Sequence, residues 1–271
     1  MNNKDTAVAL ITGTSSGIGL VTAKVLQKAG YRVFGTSRRA VASTDGITML
    51  SCDVTDEASV NNTVAEVLKQ AGRIDLLVNN AGVGLLGAAE ESSTAQAQAL
   101  FDVNVFGITR VTNAVLPTMR NQGKGRIVNI SSVLGLIPSP YNALYAATKH
   151  AVEGYSESLD HELRTFGIRV VLVEPAFTRT AFEASLTKPD QPLAVYDAAR
   201  AGMAVVMRNG VNAGDAPEVV ADTVLKAATA PAPKRRYTAG KQAGQVRFLR
   251  RFMPEALVDR SLRKVNQLPI V

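Results

Sequence analysis

Short strand-like runs alternate with helix-like stretches along most of this chain, and that alternation most limits how it can fold. Ala7-Val8-Ala9-Leu10-Ile11 is a continuous apolar run, the pattern of a strand covered on both faces in a parallel sheet. Further strands are expected at 31–36, 47–52, 75–78, 126–130 and 169–173, with a seventh at 235–238. Helices are expected between them: 20–29 ending at Gly30, 56–71 stopped by Gly72, a long stretch over 95–121 whose last turns Pro117 bends, and 143–166 closed by Gly167. This predicts an α/β fold, a doubly wound parallel sheet of about seven strands with right-handed crossovers and helices on both faces. At 271 residues, one domain over 1–271 suffices. Two segments stand apart. Residues 181–214 are polar and rich in Pro and Gly, and follow the sixth strand at the edge where such sheets bind ligands. They read as a mobile substrate lid, or as a fixed surface insertion. Residues 254–267 read as an amphipathic helix.

Composition excludes several classes. No apolar run approaches the roughly 18–20 residues of a membrane span, and Met1-Asn2-Asn3-Lys4-Asp5 enters the first strand without a secretory leader. Cys52 is the only cysteine, so no internal disulfide forms; it reads as an ordinary buried residue in a reducing, cytoplasmic compartment. The net charge of +7 is concentrated at 231–271, which holds ten Lys/Arg and two acids and leaves the rest nearly neutral. That basic segment reads as a solvated helix and loop. The sharper alternatives are weak contact with an anionic membrane surface or attraction of an acidic substrate. Nucleic acid is not expected, because no binding motif accompanies the charge.

Gly13, Gly17 and Gly19, with Ser15, Ser16 and Ile18 between them, occupy the turn from the first strand into the first helix. A phosphate pair must approach the backbone closely there, and the helix N-terminus offers N–H donors and positive dipole. The spacing is G-x-x-x-G-x-G rather than the G-x-G-x-x-G fingerprint, and alone it marks any tight strand–helix turn. At the end of the second strand, where an NAD site places an acid, stand Ser37, Arg38 and Arg39. Two guanidiniums suit a 2′-phosphate, so NADP(H) is expected over NAD(H), with an exposed loop as the competing reading, above all for Arg39. Asp53 is placed to accept from an adenine amino group; the competing reading is a helix N-cap, a role Thr55 could also fill.

Tyr145 and Lys149 are four residues apart on one expected helix and share a face. A cation about 5 Å from a phenol of pKa ~10, at an effective dielectric near 20, lowers that pKa by roughly two units, which brings tyrosinate within reach near neutral pH. Such a phenol exchanges a proton with an alcohol or carbonyl while hydride moves. A lone Y-x-x-x-K is often accidental. Ser132, just past the fifth strand on the same edge, offers a hydroxyl to hold the substrate oxygen, with Ser131 as the alternative bearer. His150 and His161 read as structural or exposed, no Ser/His/Asp set is present, and no metal site has ligand spacing.

In these motifs the chain resembles the short-chain dehydrogenase/reductase family, in its compact one-domain, Rossmann-type branch. The matching residues are Thr12 to Gly19, Asp53-Val54, Asn79-Asn80-Ala81-Gly82, Asn104, Ser132, Tyr145, Lys149 and Pro175 through Thr180, spanning about residues 5–180. The resemblance implies Ser132 as the substrate-orienting hydroxyl, Tyr145 as catalytic acid/base, and Lys149 as the group that lowers its pKa and binds the nicotinamide ribose. It implies a water-linked proton relay at Asn104, and Asn80, Ala81 and Gly82 on the adenosine-ribose side. The turn carrying Pro175, Phe177, Thr178 and Thr180 would lie near the carboxamide. The family's Ser-to-Tyr gap of thirteen is met by Ser132 and Tyr145. One departure is Pro175-Ala176 where Pro-Gly is usual; Ala tolerates positive φ poorly, so a changed turn is expected. The resemblance is nearest to members acting on steroids, retinoids and other apolar alcohols or ketones, and it implies a homo-oligomer, dimer or tetramer. Val133, Leu134, Leu136, Ile137, Pro138, Tyr141, Phe177 and Phe182 form the expected apolar wall. Alternatives are an acyl-chain ketoreductase, a sugar-type dehydrogenase, or a non-catalytic NADP-binding sensor.

Overall fold

The computed structural model describes residues 6–39, 42–43, 45–266 and 268. The leader expectation at 1–5, Gln267 at the end of the expected last helix, and the final residues 269–271 of the basic segment lie outside them. Seven strands, β1 (Val8–Ile11), β2 (Arg32–Ser37), β3 (Ile47–Ser51), β4 (Leu76–Asn79), β5 (Gly125–Ile130), β6 (Ile168–Pro175) and β7 (Arg236–Ala239), form one sheet in the order β3-β2-β1-β4-β5-β6-β7. Every pairing in it is parallel. The order reverses between β1 and β4, which opens a crevice at the carboxyl ends of these strands.

Neighbouring residues along each central strand bury into opposite layers, which explains the uninterrupted apolar runs. Leu10, Leu77 and Ile127 pack with Val64 of α2 (Glu57–Ala71), Val115 of α4 (Gly107–Gln122) and Leu163 of α5 (Ala143–Leu163). Ile11, Val78 and Val128 pack on the other face with Leu26 of α1 (Gly17–Lys28) and Val224 of α7 (Pro217–Thr229). The helices end as their glycines require: Gly72, Gly123 and Gly167 are left-handed.

Several boundaries differ from expectation. The expected long helical stretch is continuous from Thr94 to Gln122, but a π-helical turn at Asp102–Phe106 joins α3 (Thr94–Phe101) to α4, and α4 carries Pro117 inside it. Neither Asp53 nor Thr55 caps α2; Asp56 does, accepting from Ala58 N at 2.9 Å and Ser59 N at 3.3 Å. The 181–214 segment, expected as a lid or surface insertion, carries the helix α6 (Asp197–Asn212). Helices α7 and α8 (Lys241–Phe252) were not anticipated; α9 (Glu255–Val265) was.

Polar contacts lock α5 to the sheet. Asp160 is fully buried and accepts from Arg169 Nε at 2.8 Å and Val170 N at 3.0 Å, with Arg164 completing the cluster. Burial by itself would raise its pKa, but the two guanidiniums and the amide outweigh that and hold it at about 2. Asn79 Nδ2 donates to Asn129 Oδ1 at 2.9 Å, and Asn129 Nδ2 to Ser156 Oγ at 2.8 Å, which ties β4, β5 and α5 together. The helix that carries Tyr145 and Lys149 is thereby fixed against the strand ends.

Candidate active site

A cleft of about 710 Å³ opens at the carboxyl ends of the strands. At one end the turn after β1 forms a tight cradle. Gly13 and Gly17 have φ of 71° and 58°, open without strain only to glycine. A Cβ on Gly13 would come within 2.8 Å of Ala81 Cα, and one on Gly19 would overlap the Gly13 carbonyl and the Asn80 amide. Asn80 Nδ2 braces the turn, donating to Thr12 O and Gly13 O at 2.9 Å each, and Thr12 Oγ1 accepts from Asn80 N and Ala81 N at 3.0 Å. Ser16 caps α1 without a side-chain hydrogen bond, so the first-turn amides face the cleft. This backbone-walled cradle at a helix N-terminus fits the pyrophosphate of a dinucleotide.

Ser15, Ser16, Ile18, Arg38, Arg39, Asp53, Val54, Asn80, Ala81 and Gly82 line the same end of the cleft, together with Cys52. Arg38 and Arg39 are both exposed. Asp53 Oδ1 accepts from Thr55 N at 2.9 Å and Thr55 Oγ1 at 2.8 Å, and these bonds hold its pKa below the ordinary carboxylate range. Burial pushes the Cys52 thiol up, which suits an inert packing residue. Pro175, Phe177, Thr178 and Thr180 line the opposite wall, and Thr180 lies 3.5 Å from where a Gly17 Cβ would stand. Ala176 is not among the positive-φ residues, so this turn accommodates alanine without left-handed backbone.

Ser132, Tyr145 and Lys149 meet on one side of this cleft. Ser132 Oγ accepts from Leu134 N at 3.1 Å, which leaves its proton to point outward. Ser131 is buried and its hydroxyl has no partner in the packing. Lys149 is 7% exposed; its Nζ donates to Ile130 O at 3.0 Å and lies 5.6 Å from the Tyr145 ring centroid. Burial lowers the Lys149 pKa to about 8, with Glu153 pulling the other way. The expected acidic phenol is not found: burial raises the Tyr145 pKa above that of free tyrosine. Desolvation disfavours both charged forms and exceeds the attraction of an ammonium set over the ring. The Tyr145 phenol is therefore held protonated.

Asn104 is 1% exposed and stands behind the cleft rather than in its wall. Its side chain is committed: Oδ1 accepts from Val83 N at 2.9 Å, and Nδ2 donates to Val83 O at 2.9 Å and Thr148 Oγ1 at 3.2 Å. It sits in the π-helical turn, where the regular hydrogen-bond ladder is broken. His150 and His161 are exposed on α5, and among the described residues no group of His, Cys, Asp and Glu could hold a metal.

The far end of the cleft is apolar. Val133, Leu134, Ile137, Pro138, Phe177 and Phe182 line it, whereas the expected Leu136 and Tyr141 do not; Tyr141 packs edge-on against Tyr196 instead, at 6.3 Å. Phe182 approaches Tyr145 at 6.0 Å between ring centroids. Sequence reasoning missed Val206, Met207 and Val211 of α6, Val246 of α8, and Leu262 and Val265 of α9. Their apolar spacing within polar helices was the available signal, but nothing local shows that these helices fold over the sheet edge. The middle of the expected lid is anchored. Glu91, fully buried, accepts from Ala88 N and Leu193 N and pairs with Arg200, while Ser93 N donates to Asp190 at 2.8 Å.

The short chain dehydrogenase family model matches residues 7–191. An uncharacterized oxidoreductase, YusZ, of Bacillus subtilis is 35% identical over 97% of this chain and 99% of its own. A 3-ketodihydrosphingosine reductase of Bacteroides thetaiotaomicron is 43% identical over a stretch that is 65% of each chain. A short-chain dehydrogenase from Streptomyces avermitilis superposes with a TM-score of 0.81 at 33% identity, covering 97% of this chain and 96% of that one. Other solved neighbours were determined with NAD or with NADP bound.

Proposed function

The chain belongs to the short chain dehydrogenase family, and from that premise we propose that it is an NADP(H)-dependent oxidoreductase that reduces an apolar ketone or aldehyde. The observation that carries the reading is a single cleft with a phosphate cradle at one end, Ser132, Tyr145 and Lys149 in its wall, and an apolar chamber at the other. The coenzyme would lie with its pyrophosphate on Gly13–Gly19 and its ribose 2′-phosphate between Arg38 and Arg39, and it would supply the hydride. Ser132 donates to the substrate carbonyl oxygen and holds it beside Tyr145. Tyr145, kept neutral by burial, gives its proton to that oxygen as negative charge develops there. Lys149, fixed on Ile130 O, stabilises the phenolate left behind and holds the coenzyme ribose. The Asn104 amide is fully engaged with Val83 and Thr148, so the water relay that the family resemblance implies at Asn104 would not use that side chain.

The similarity to the sphingoid-base reductase, together with the apolar far end, favours a carbonyl on a long alkyl chain over a sugar. Steroid and retinoid carbonyls share that apolar character. The test is NADPH consumption against a panel of a long-chain 3-keto amine, a steroid ketone, retinal and an aldose, with the native protein and Tyr145→Phe. We expect turnover of an apolar carbonyl, lost at least about 100-fold in the variant, with coenzyme affinity retained. Turnover confined to the aldose overturns the substrate class. Coenzyme binding without Tyr145-dependent consumption of any carbonyl overturns the enzymatic reading in favour of a sensor.

A further inference from the structure

The basic C-terminal segment carries two helices whose outer faces pair large apolar and basic side chains. In α8, Ala243 is fully buried against the body of the protein. Helical spacing places Phe248, Leu249 and Phe252 on the opposite side, where they are 62%, 44% and 65% exposed. The two phenyl rings lie with centroids 4.9 Å apart, tilted 47° to each other, and the Arg251 guanidinium sits 5.6 Å from the Phe252 ring centroid. No acid interrupts α8, which carries Lys241, Arg247, Arg250 and Arg251. The outer side of α9 continues the surface with exposed Leu257 and with Arg260 and Lys264. Large apolar side chains on a strongly basic helix are costly in water and match a lipid surface.

The same two helices rim the apolar end of the cleft, to which α8 contributes Val246 and α9 contributes Leu262 and Val265. We propose that α8 and α9 dock the protein on anionic lipid surfaces, with Phe248 and Phe252 entering the interface and Lys241 and Arg251, which flank them on the same side of α8, meeting the headgroups. The apolar end of the cleft, which α8 and α9 border, then lies beside the layer in which an apolar carbonyl dissolves. A second copy of this chain is the poorer occupant, because a two-fold contact would set one arginine-rich face against another. The docking surface stands on α8 and α9 alone; only the delivery of substrate rests on the reading proposed above.

The test is co-sedimentation of the full chain with phosphatidylserine–phosphatidylcholine vesicles and with pure phosphatidylcholine vesicles. The native protein should bind the anionic vesicles, and binding should fall steeply as salt is raised. The double variants Phe248→Ser/Phe252→Ser and Lys241→Glu/Arg251→Glu should each weaken it roughly tenfold or more, while thermal midpoint and NADPH affinity stay native. No binding by the native protein, equal binding by the variants, or equal binding to neutral vesicles overturns the proposal. So does a native dimer that the phenylalanine variant dissociates, which assigns the face to a second copy. None of these readouts depends on turnover, so failure of the catalytic reading is seen separately, in the carbonyl panel.

Discussion

Lys149 Nζ donates a 3.0 Å hydrogen bond to the main-chain carbonyl of Ile130, so a helix side chain is held at the carboxyl end of β5. One bond thereby couples the strand that delivers Ser132 to the helix that delivers Tyr145. Burial has brought the Lys149 pKa down to about 8. Its charge is present below that pH and lost above it. The reductive kcat/KM should therefore fall as pH rises through about 8. Lys149→Arg, whose guanidinium stays charged throughout, should lack that inflection even at a lower rate. A pH–rate profile of the two proteins decides it.

Arg38 and Arg39 are the groups that would distinguish the two nicotinamide coenzymes. Arg38→Ser should raise KM for NADPH about 10–100-fold, the worth of one charge-assisted hydrogen bond, with KM for NADH nearly unchanged. Equal effects on both coenzymes would remove Arg38 from 2′-phosphate recognition.

Gly19 and Gly154 make a matched pair of helical glycines. A Cβ on Gly19 would collide with the Gly13 carbonyl and the Asn80 amide, whereas a Cβ on Gly154 meets nothing within 4 Å. Gly19→Ala should lower NADPH affinity at least about 100-fold by distorting the cradle. Gly154→Ala should bind normally and gain up to about 1 kcal/mol of stability from helix propensity. Coenzyme titration and thermal unfolding read the two effects.

Asp160 joins α5 to β6 and carries its stability in a definite pH window. Its folded pKa of about 2 lies below the ordinary 3.8, so its contribution is complete above about pH 4 and is lost as pH falls toward 2. Asp160→Ala should cost about 2–4 kcal/mol at neutral pH, because it strands two arginines and the Val170 amide. The difference between native and variant should shrink in acid, as denaturant melts across pH will show.

The site was legible where one residue type is needed at one spacing. Gly13, Gly17 and Gly19 announce a turn that backbone must fill, and Tyr145 with Lys149 announces a shared helical face. Asn104 was found only through likeness to a family. Its side chain spends its hydrogen bonds on Val83 and Thr148, a contact set that no local pattern encodes. The α6, α8 and α9 wall was missed for a related reason: those helices are polar and their few apolar residues gain meaning only when packed over the cleft.

The sequence by itself determined the parallel sheet, its strand boundaries to within about two residues, and the types of group gathered at its edge. Hydrophobic period, helix-stopping glycines and motif spacing are local properties of the chain. Only the tertiary structure decided the protonation balance at Tyr145 and Lys149 and the π-helical turn at Asp102–Phe106 in the long helix. It alone placed the outer face of α8 beside the mouth of the cleft. A pKa depends on how much water the surrounding fold removes, and a rim exists only when distant segments meet. Neither quantity is carried by any stretch of residues read alone.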